Sequence, residues 1–268
     1  MAERSETRSG QPMIELLGVQ KSFGSNHVLR GIDLEIRAGE IFTLLGGSGT
    51  GKSVMLKHMV GLLRPDAGRV RIEGRDVTEL AEREWVEVRK RIGFVFQGAA
   101  LFDSLSVLEN VAYGLREHLP WPEQRIRERV AECLAAVGLE GIEERMPAEL
   151  SGGMRKRVGV ARAIALAPTV ILYDEPTTGL DPANSRRVGQ LIVRLREELA
   201  VTSVIVTHDL DLCFSISDRV GLLGAGRLLA VGTPDEIRAS QVPEVRDFLS
   251  GELDAKKDLW RHTQDSEE

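Results

Sequence analysis

The sequence is poor in aromatic residues and carries no excess of positive charge. Phe, Trp and Tyr make up 4% of its 268 residues, and the formal net charge at pH 7 is −6. Proteins whose main ligand is nucleic acid typically carry a basic patch or aromatic side chains on which bases stack. We therefore expect no nucleic acid among the partners of this chain.

Cysteines and long apolar runs are scarce as well. Cys133 and Cys213 lie far apart and form no close cluster with the five histidines, so we expect reduced thiols and no zinc site. No apolar run reaches about 18 residues, the length that spans a bilayer. The polar first dozen residues lack the apolar stretch of a signal peptide. These features predict a cytoplasmic chain that is not itself embedded in a membrane.

What the sequence does contain is an alternation of strand-like and helix-like segments. Short apolar runs predict buried strands at residues 41–45, 170–174 and 203–207, and periodic apolar residues predict helices over 53–63 and 184–199. Strands that alternate with helices favour an α/β fold built on a mostly parallel sheet.

Two stretches depart from this alternation. Hairpin-like patterns near both ends, at residues 14–36 and 220–232, predict an antiparallel β part beside the parallel sheet. The stretch from about 104 to 167 is almost wholly helical, which predicts a helical lobe inserted between two strands of the sheet.

A glycine-rich motif follows the first buried strand and opens a helix. Residues 46–53 read GGSGTGKS and fit the phosphate-loop pattern G-x-x-x-x-G-K-[ST] at every fixed position. Backbone N–H groups of such a loop bind phosphates, the lysine reaches the β- and γ-phosphates, and the last hydroxyl ligates Mg²⁺. A glycine-rich turn without a ligand is the alternative, and the strand–loop–helix context argues against it. The expected binding residues are Gly46, Gly47, Ser48, Gly49, Thr50, Gly51, Lys52 and Ser53.

Two acidic residues end the buried strand VILYD. Asp174 and Glu175 should emerge at the carboxyl edge of the sheet, where open α/β sheets bind their ligands. Asp174 is then placed to hold Mg²⁺, and Glu175 to act as the general base for an attacking water. An acidic turn without function is the alternative, which the complete phosphate loop makes the weaker interpretation.

With these motifs the sequence resembles the ATPase subunits of ATP-binding-cassette (ABC) transporters. Residues 150–154, LSGGM, resemble the family signature LSGGQ. The motifs also follow the family's order: the phosphate loop, Gln97, the signature, VILYDE, Asp181 and His208. The residues Phe23, Gly47, Thr50, Met154 and Gly179 depart from those most common in the family, and none of these changes removes a catalytic group.

The resemblance implies a role for each matching residue. Phe23 matches the aromatic residue that stacks on adenine, and Gln97 the glutamine that senses Mg²⁺ and the attacking water. His208 matches the histidine that contacts the γ-phosphate, and Asp181 the acid that communicates across a dimer. A core Phe and a purely structural His are the alternatives at two of these positions. Glu175, His208, Lys52 and Gln97 are thus the expected catalytic residues, and Ser53, Gln97 and Asp174 the expected Mg²⁺ ligands.

The same resemblance implies an architecture and an assembly. It implies an ABC-type core with an antiparallel β subdomain over residues 13–240 and a helical subdomain at about 98–165. Outside the core, the polar residues 1–12 are expected to be a disordered start, and residues 241–268 a C-terminal tail. In the family, the signature of one subunit closes on ATP held by the other. Ser151, Gly152 and Gly153 should therefore bind the partner's ATP in a homodimer.

Three segments resemble one group within the family, the ATPases of Mla-type phospholipid transporters. They are the stretch after Gln97 (GAALFDSLSVLENVAYGLREH), the signature LSGGM with the basic residues 155–157 that follow it, and the tail segment PEVRDFLSGELD. By that resemblance the partners are a separate permease, a periplasmic MCE-domain lipid-binding protein and a small STAS-domain protein. The chain would then lie at the cytoplasmic face of a bacterial inner membrane, held there by its permease.

Other interpretations remain open on the sequence alone. The ATPase of an importer for amino acids or another small solute would share every catalytic motif. A soluble ABC protein of translation or DNA repair and a non-catalytic regulatory cassette fit less well, because the chain has one cassette, no sustained heptads and intact catalytic positions. Residues 155–157 could form a solvated face or contact nucleotide or a partner, and residues 242–253 could pack on their own domain or reach across a dimer.

Overall fold

The computed structural model of the protein describes residues 11–251. The disorder expected for residues 1–12 falls almost wholly outside the described residues, as does the end of the tail expected over 241–268. Within the described range the chain forms ten strands and nine α-helices. In chain order they are β1 (Pro12–Phe23), β2 (Asn26–Arg37), β3 (Ile41–Leu45), α1 (Lys52–Met59), β4 (Ala67–Ile72), β5 (Arg75–Asp76), α2 (Glu82–Arg89), β6 (Ile92–Val95), α3 (Val107–His118), α4 (Glu123–Ala136), α5 (Gly152–Ile164), β7 (Val170–Asp174), α6 (Pro182–Leu199), β8 (Thr202–Thr207), α7 (Leu210–Ile216), β9 (Arg219–Gly224), β10 (Arg227–Gly232), α8 (Pro234–Arg238) and α9 (Pro243–Leu249).

The main sheet has six strands in the order β10-β9-β3-β8-β7-β6. From β9 to β6 all neighbouring strands are parallel, and β10 joins the edge as the antiparallel arm of a hairpin with β9. All residues of β3 and β8 are buried, which is typical of parallel strands with both faces covered. The prediction of an α/β fold with a mostly parallel sheet is confirmed.

The N-terminal strands form a separate antiparallel sheet. Its four strands lie in the order β2-β1-β4-β5. Apolar residues that alternate along β1 and β2, among them Ile14, Leu16, Ile32 and Ile36, are buried in one core with Met55 and other residues of α1. The antiparallel part expected at the start of the chain is therefore present, and it packs against the helix that follows the phosphate loop.

Helices α3, α4 and α5 lie between β6 and β7 in the chain and pack on one another. Val111 of α3, Val130 of α4 and Val158 of α5 are fully buried in a shared core. Local signals begin these helices: Ser106 caps α3 in a reciprocal pair with Glu109, and Ser151 caps α5. This helical layer carries both the segment after Gln97 and the signature.

The C-terminal part of the described chain packs on the main sheet. Val245 of α9 is buried in a cluster with Leu45, Val220 and Ile237, so the tail packs on its own domain as far as residue 249.

No helix within residues 11–251 has the length and apolar character that crossing a bilayer requires. Both cysteines are free and buried, as expected, and burial raises the pKa of the Cys133 thiol to about 11 and that of Cys213 to about 12.

Helix α1 ends at Met59, four residues before the end expected from the periodicity. Gly61 follows it in the left-handed region, with a φ of 65°. A Cβ on Gly61 would lie 2.2 Å from Cε2 of Trp85, whose ring is buried against the end of the helix. Arg89 also donates hydrogen bonds to the carbonyls of Val60 and Gly61. The turn that stops α1 thus depends on glycine at this position.

We predict that Gly61→Ala destabilises the protein by about 3 kcal/mol, because the methyl group overlaps the Trp85 ring and alanine strains the left-handed backbone. Gly74→Ala is the matched control, since Gly74 has a similar φ of 76° but nothing within 4 Å of an added Cβ. It should cost about 1 kcal/mol. Urea unfolding of both variants measures the difference, and equal losses would contradict the role given to Trp85.

Candidate active site

The phosphate-loop motif connects β3 to α1 at the carboxyl edge of the main sheet. Gly49 and Gly51 have positive φ values of 74° and 107°. A Cβ on Gly46 would lie 2.6 Å from the carbonyl oxygen of Leu223, so this glycine is required by close packing on β9. Ser48 and Gly49 are exposed at the tip of the loop, while Gly51 and Lys52 are buried. The tip of the loop is therefore exposed to solvent, while its two ends are tightly packed.

Lys52, the first residue of α1, brings a buried ammonium group to the centre of this loop. Its side chain is 8% exposed, and its Nζ donates hydrogen bonds to the carbonyls of Gly46 and Gly47 at 2.8 and 2.9 Å. The Nζ also lies 3.8 Å from Oε1 of Glu175. A cation desolvated in this way interacts strongly with any anion that enters the loop.

Ser53 and Asp174 form a second pair of facing groups. The Ser53 hydroxyl donates a hydrogen bond of 3.0 Å to Oδ1 of Asp174 at the end of β7. Burial raises the pKa of the Asp174 carboxyl, and the negative charge of Glu175 adds to this, while the Ser53 hydrogen bond and Lys52 oppose it. A partly desolvated carboxylate beside a hydroxyl is a favourable place for a divalent cation.

These two oxygens suit Mg²⁺ better than a metal that needs an all-protein cage. Within residues 11–251 no group of three or more His, Cys, Asp or Glu side chains could hold a metal ion. Mg²⁺ prefers oxygen ligands, keeps several waters and is usually held by one or two protein side chains together with phosphate oxygens. The donor set of Ser53 and Asp174 fits that mode.

Glu175 has the most constrained position in the site. Its φ is 51°, a left-handed value that is uncommon for residues other than glycine. Its N–H donates to the Val206 carbonyl at 2.8 Å. Its carboxylate lies 2.9 Å from Nδ1 of His208 and accepts hydrogen bonds from the hydroxyls of Thr178 and Thr207. The carboxylate thus lies near Lys52, with its orientation set by Thr178 in its own turn and by Thr207 and His208 at the end of β8.

The order of strands explains how these residues meet. The phosphate loop follows β3, His208 follows the last residue of the neighbouring strand β8, Thr207, and the next strand, β7, ends in Asp174. Gln97 lies two residues beyond β6, whose Val95 pairs with Tyr173 of β7, and its side chain is exposed. The parallel pairing thus brings Lys52, Ser53, Asp174, Glu175 and His208 together, and Gln97 follows the strand that pairs with β7.

Phe23 lies at the tip of the β1–β2 hairpin. It is 49% exposed, so the alternative of a core phenylalanine is wrong. Residues 26–28 of the same hairpin line a cavity of about 420 Å³ together with Gly47, Ser48, Gly49 and Thr50. The hairpin therefore lies against the phosphate loop, with an exposed aromatic ring at its tip.

The signature occupies the start of α5, in the helical layer. Ser151 caps the helix by accepting a hydrogen bond from the N–H of Met154, and Gly152 is exposed. A Cβ on Gly153 would lie 3.7 Å from the side chain of Asn184 in α6. Asp181 caps α6 and binds the Asn184 backbone N–H and side-chain amide, which lowers the pKa of its carboxyl. The signature and Asp181 are thus neighbours, linked through Asn184.

The basic side chains of α5 make contacts that the sequence did not reveal. Arg155 donates to the Leu150 carbonyl, and Arg157 donates to the carbonyls of Val137 and Gly138. Lys156 donates to carbonyls in the turn that begins at Glu175. Residues 155–157 are therefore not a simple solvated face, because all three bind backbone oxygens of their own chain. In the sequence, the run of three basic residues was the only feature that drew attention to this part of the helix.

A fourth basic residue of α5 holds the segment after Gln97. Arg162 donates to the carbonyls of Ala99 and Ala100, both at 2.7 Å. These two alanines have left-handed φ values of 62° and 45°. The guanidinium group thus stabilises an unusual backbone next to Gln97, and no local pattern in the sequence pointed to it.

Comparisons with known proteins show which family this chain resembles. The profile of the family described as ABC transporter matches residues 29–178. The chain is 45% identical to the probable ribonucleotide transport ATP-binding protein mkl of Mycobacterium tuberculosis, over 90% of this chain and 68% of that protein. It is 41% identical to the intermembrane phospholipid transport system ATP-binding protein MlaF of Haemophilus influenzae, over 91% and 92%. It is 45% identical to the methionine import ATP-binding protein MetN of Leifsonia xyli, over 88% and 70%.

Solved structures give the same result at the level of the fold. CbiO1 of Clostridium perfringens, part of the ABC transporter complex CbiONQ, superposes with a TM-score of 0.80 at 32% identity, covering 89% of this chain and 95% of that one. A dimeric ATP-binding cassette in a post-hydrolysis state, bound to ADP and phosphate, superposes with a TM-score of 0.77 at 34% identity, covering 83% and 99%.

We predict that Lys52→Ala weakens ATP binding about 10- to 100-fold and abolishes turnover, because a buried cation within the phosphate loop is lost. Titration of the full-length chain with a fluorescent ATP analogue measures the affinity. Lys90→Ala is the control, since Lys90 lies at the end of α2 and pairs with Glu87. Unchanged affinity in Lys52→Ala would contradict the assignment of the phosphate loop.

Proposed function

The chain belongs to the ABC transporter family, as an ATP-binding subunit that hydrolyses ATP, and from that premise we propose that it powers phospholipid movement between the inner and outer membranes of a bacterium. Closure of two subunits on ATP, and their separation after hydrolysis, would drive a separate permease. The observation that carries the enzymatic part is the position of the Glu175 carboxylate, within hydrogen-bonding distance of His208 and 3.8 Å from the Lys52 ammonium group.

The chemistry follows from those positions. Lys52 and the backbone of residues 46–51 bind the phosphates and offset the charge that develops on them. Glu175 accepts a proton from a water molecule whose oxygen attacks the γ-phosphorus, and the bond from that phosphorus to the ADP oxygen breaks. His208 donates a hydrogen bond to Glu175 and would contact the γ-phosphate. Gln97, beside the acidic residues, would orient the same water.

Mg²⁺ and adenine have supporting residues as well. Ser53 and Asp174 would hold Mg²⁺, with Gln97 beside them, and the ion when bound neutralises charge on the phosphate oxygens. Phe23 would stack on adenine, which its exposure at the hairpin tip supports.

A homodimer would complete each active site. Ser151, Gly152 and Gly153 begin a helix with small residues, which suits an anion, yet they lie in the helical layer and not in the loop that carries Lys52. The signature of one subunit would therefore bind the ATP of the other, and Asp181, beside it, would lie at the same interface. The dimeric cassette among the structural neighbours supports this arrangement.

Two observations bear on the transported molecule. The match to the phospholipid transport protein MlaF spans 91% of this chain and 92% of that protein, which supports lipid as the substrate. By that likeness the partners include an MCE-domain lipid-binding protein and a STAS-domain protein, and the chain would lie at the cytoplasmic face of the inner membrane. The match to a methionine importer supports a second candidate, the ATPase of a small-solute importer.

An aromatic surface next to Gln97 supports a protein partner on the helical layer. Phe102 and Tyr113 are 45% and 52% exposed, and their ring centroids lie 5.1 Å apart. Buried Asn110 holds the loop beneath them through hydrogen bonds to the backbone of Phe102, Leu105 and Ser106. Exposed apolar side chains on a rigid support mark interaction surfaces. We assign this pair to the permease.

We predict that Glu175→Gln lowers ATP turnover about 100- to 10,000-fold while ATP remains bound, because the amide cannot accept the proton of the attacking water. The assembled complex should then retain unhydrolysed ATP in a closed dimer, measured by turnover and by analysis of bound nucleotide. Glu198→Gln, an exposed change of equal charge in α6, should behave like the unaltered protein. A fully active Glu175→Gln complex would contradict the assignment.

For the transported molecule, we predict that tagged Glu175→Gln complex purified from native membranes contains an MCE-domain protein, a STAS-domain protein and phospholipid, as identified by mass spectrometry. Recovery of a different permease with a solute-binding protein would leave the ATPase assignment intact and contradict the proposed lipid substrate.

In the same experiment, Tyr113→Asp should reduce recovery of the permease, because it replaces one ring of the exposed aromatic pair with a charge. Tyr113→Phe keeps the ring and should not reduce recovery.

A further inference from the structure

Lys156 is the second of three consecutive basic residues in the signature helix, and it differs from its neighbours in what it contacts. Arg155 and Arg157 bind carbonyls at residues 137, 138 and 150, all within the helical layer. Lys156 instead reaches out of that layer to the turn after β7. Its side chain therefore connects the helix that carries the signature with the segment that carries Glu175.

The contact uses all three donors of the ammonium group. Nζ lies 2.7 Å from the carbonyl oxygen of Thr178, 2.9 Å from that of Pro176 and 3.4 Å from that of Glu175, the last being the weakest. A lysine ammonium group has three hydrogens and no acceptor, so it matches three converging oxygens. Three carbonyl dipoles that point at one place repel each other, and a cation between them removes that repulsion.

The turn that Lys156 binds contains an unfavourable backbone conformation. Glu175 is in the left-handed region at a φ of 51°, a backbone conformation that is unfavourable for residues other than glycine. Within the turn itself the Thr178 N–H donates to the Glu175 carbonyl at 3.3 Å. Burial lowers the pKa of Lys156, and the carboxylate of Glu175 opposes that shift. The half-buried ammonium group thus gives up part of its hydration in exchange for these carbonyls.

We propose that Lys156 is a positioning residue for ATP hydrolysis: it holds the turn of residues 175–178 in the conformation that aims the Glu175 carboxylate at the attacking water. It also couples the signature helix to the hydrolytic residue of the same subunit. The inference rests on the proposed role of Glu175 as the general base. Lys156 itself contacts backbone oxygens and takes no part in the proton transfer.

The test compares Lys156→Met with Arg157→Met in the assembled full-length complex. Both changes remove one positive charge and a set of carbonyl hydrogen bonds from the same helix, but only the first affects the Glu175 turn. For Lys156→Met we expect kcat to fall about 10- to 100-fold with KM for ATP within about twofold, because misplacing the base affects the chemical step and not ATP binding. Arg157→Met should keep kcat within about twofold.

A conservative variant separates positioning from a general structural effect. Lys156→Arg keeps the charge and can bind two carbonyls, as Arg157 and Arg162 do elsewhere in this chain, so it should recover most of kcat. Should Lys156→Met accumulate poorly, Lys156→Gln retains a neutral donor and should show the same selective fall in kcat to a smaller extent.

Three results would overturn the inference. They are a kcat for Lys156→Met within about twofold of the unaltered complex, a loss as large in Arg157→Met, or a loss expressed mainly in KM. Glu175→Gln is measured in parallel to separate this failure from that of the proposed function. Turnover lost in Glu175→Gln but kept in Lys156→Met rejects the role of Lys156 alone, whereas turnover kept in Glu175→Gln rejects Glu175 as the base.

Discussion

The parallel pairing of β3, β8 and β7 is the constraint on which the rest of the active site depends. Parallel strands end at one edge of a sheet, so the residues that follow them meet although they lie far apart in the chain. Thr207 of β8 pairs with Leu45, the last residue before the phosphate loop, and Asp174 of β7 pairs with Val206. A shift of one residue in either pairing would separate Lys52 from Glu175 and Ser53 from Asp174.

The charges gathered at this edge are stabilised by one another and by fixed hydrogen bonds. Lys52 and Glu175 are both largely buried, and each lies among polar groups that partly replace water. A site arranged in this way needs little reorganisation when charge develops on a phosphate, which is the main source of catalysis in phosphoryl transfer. The left-handed backbone of Glu175 belongs to the same arrangement, since its N–H and its carboxylate are both bound to β8 or the residues after it.

The helical layer is joined to this site by cations that bind backbone oxygens. Lys156 and Arg162 extend from α5 to two segments with left-handed residues, the turn at Glu175 and the loop after Gln97. The same helix begins with the signature. A movement of α5 would therefore reach the proposed base, the proposed water-orienting glutamine and the aromatic pair assigned to the permease. The layer proposed to meet the permease is thus connected by hydrogen bonds to the segments that carry Glu175 and follow Gln97.

The sequence by itself determined the fold class and the chemical type of the site. The buried runs, the phosphate-loop motif and the acidic strand end are local features, because each depends on residues within about ten positions of one another. The strand order, the contacts of Glu175 with Thr207 and His208, and the early end of α1 against Trp85 were decided only by tertiary structure. The carbonyl contacts of Lys156 and Arg162 were also decided only by tertiary structure. The local sequence of a helix does not show whether a basic side chain faces water or a distant backbone oxygen. Only the packing of α5 on the turns after β7 and β6 distinguishes the two.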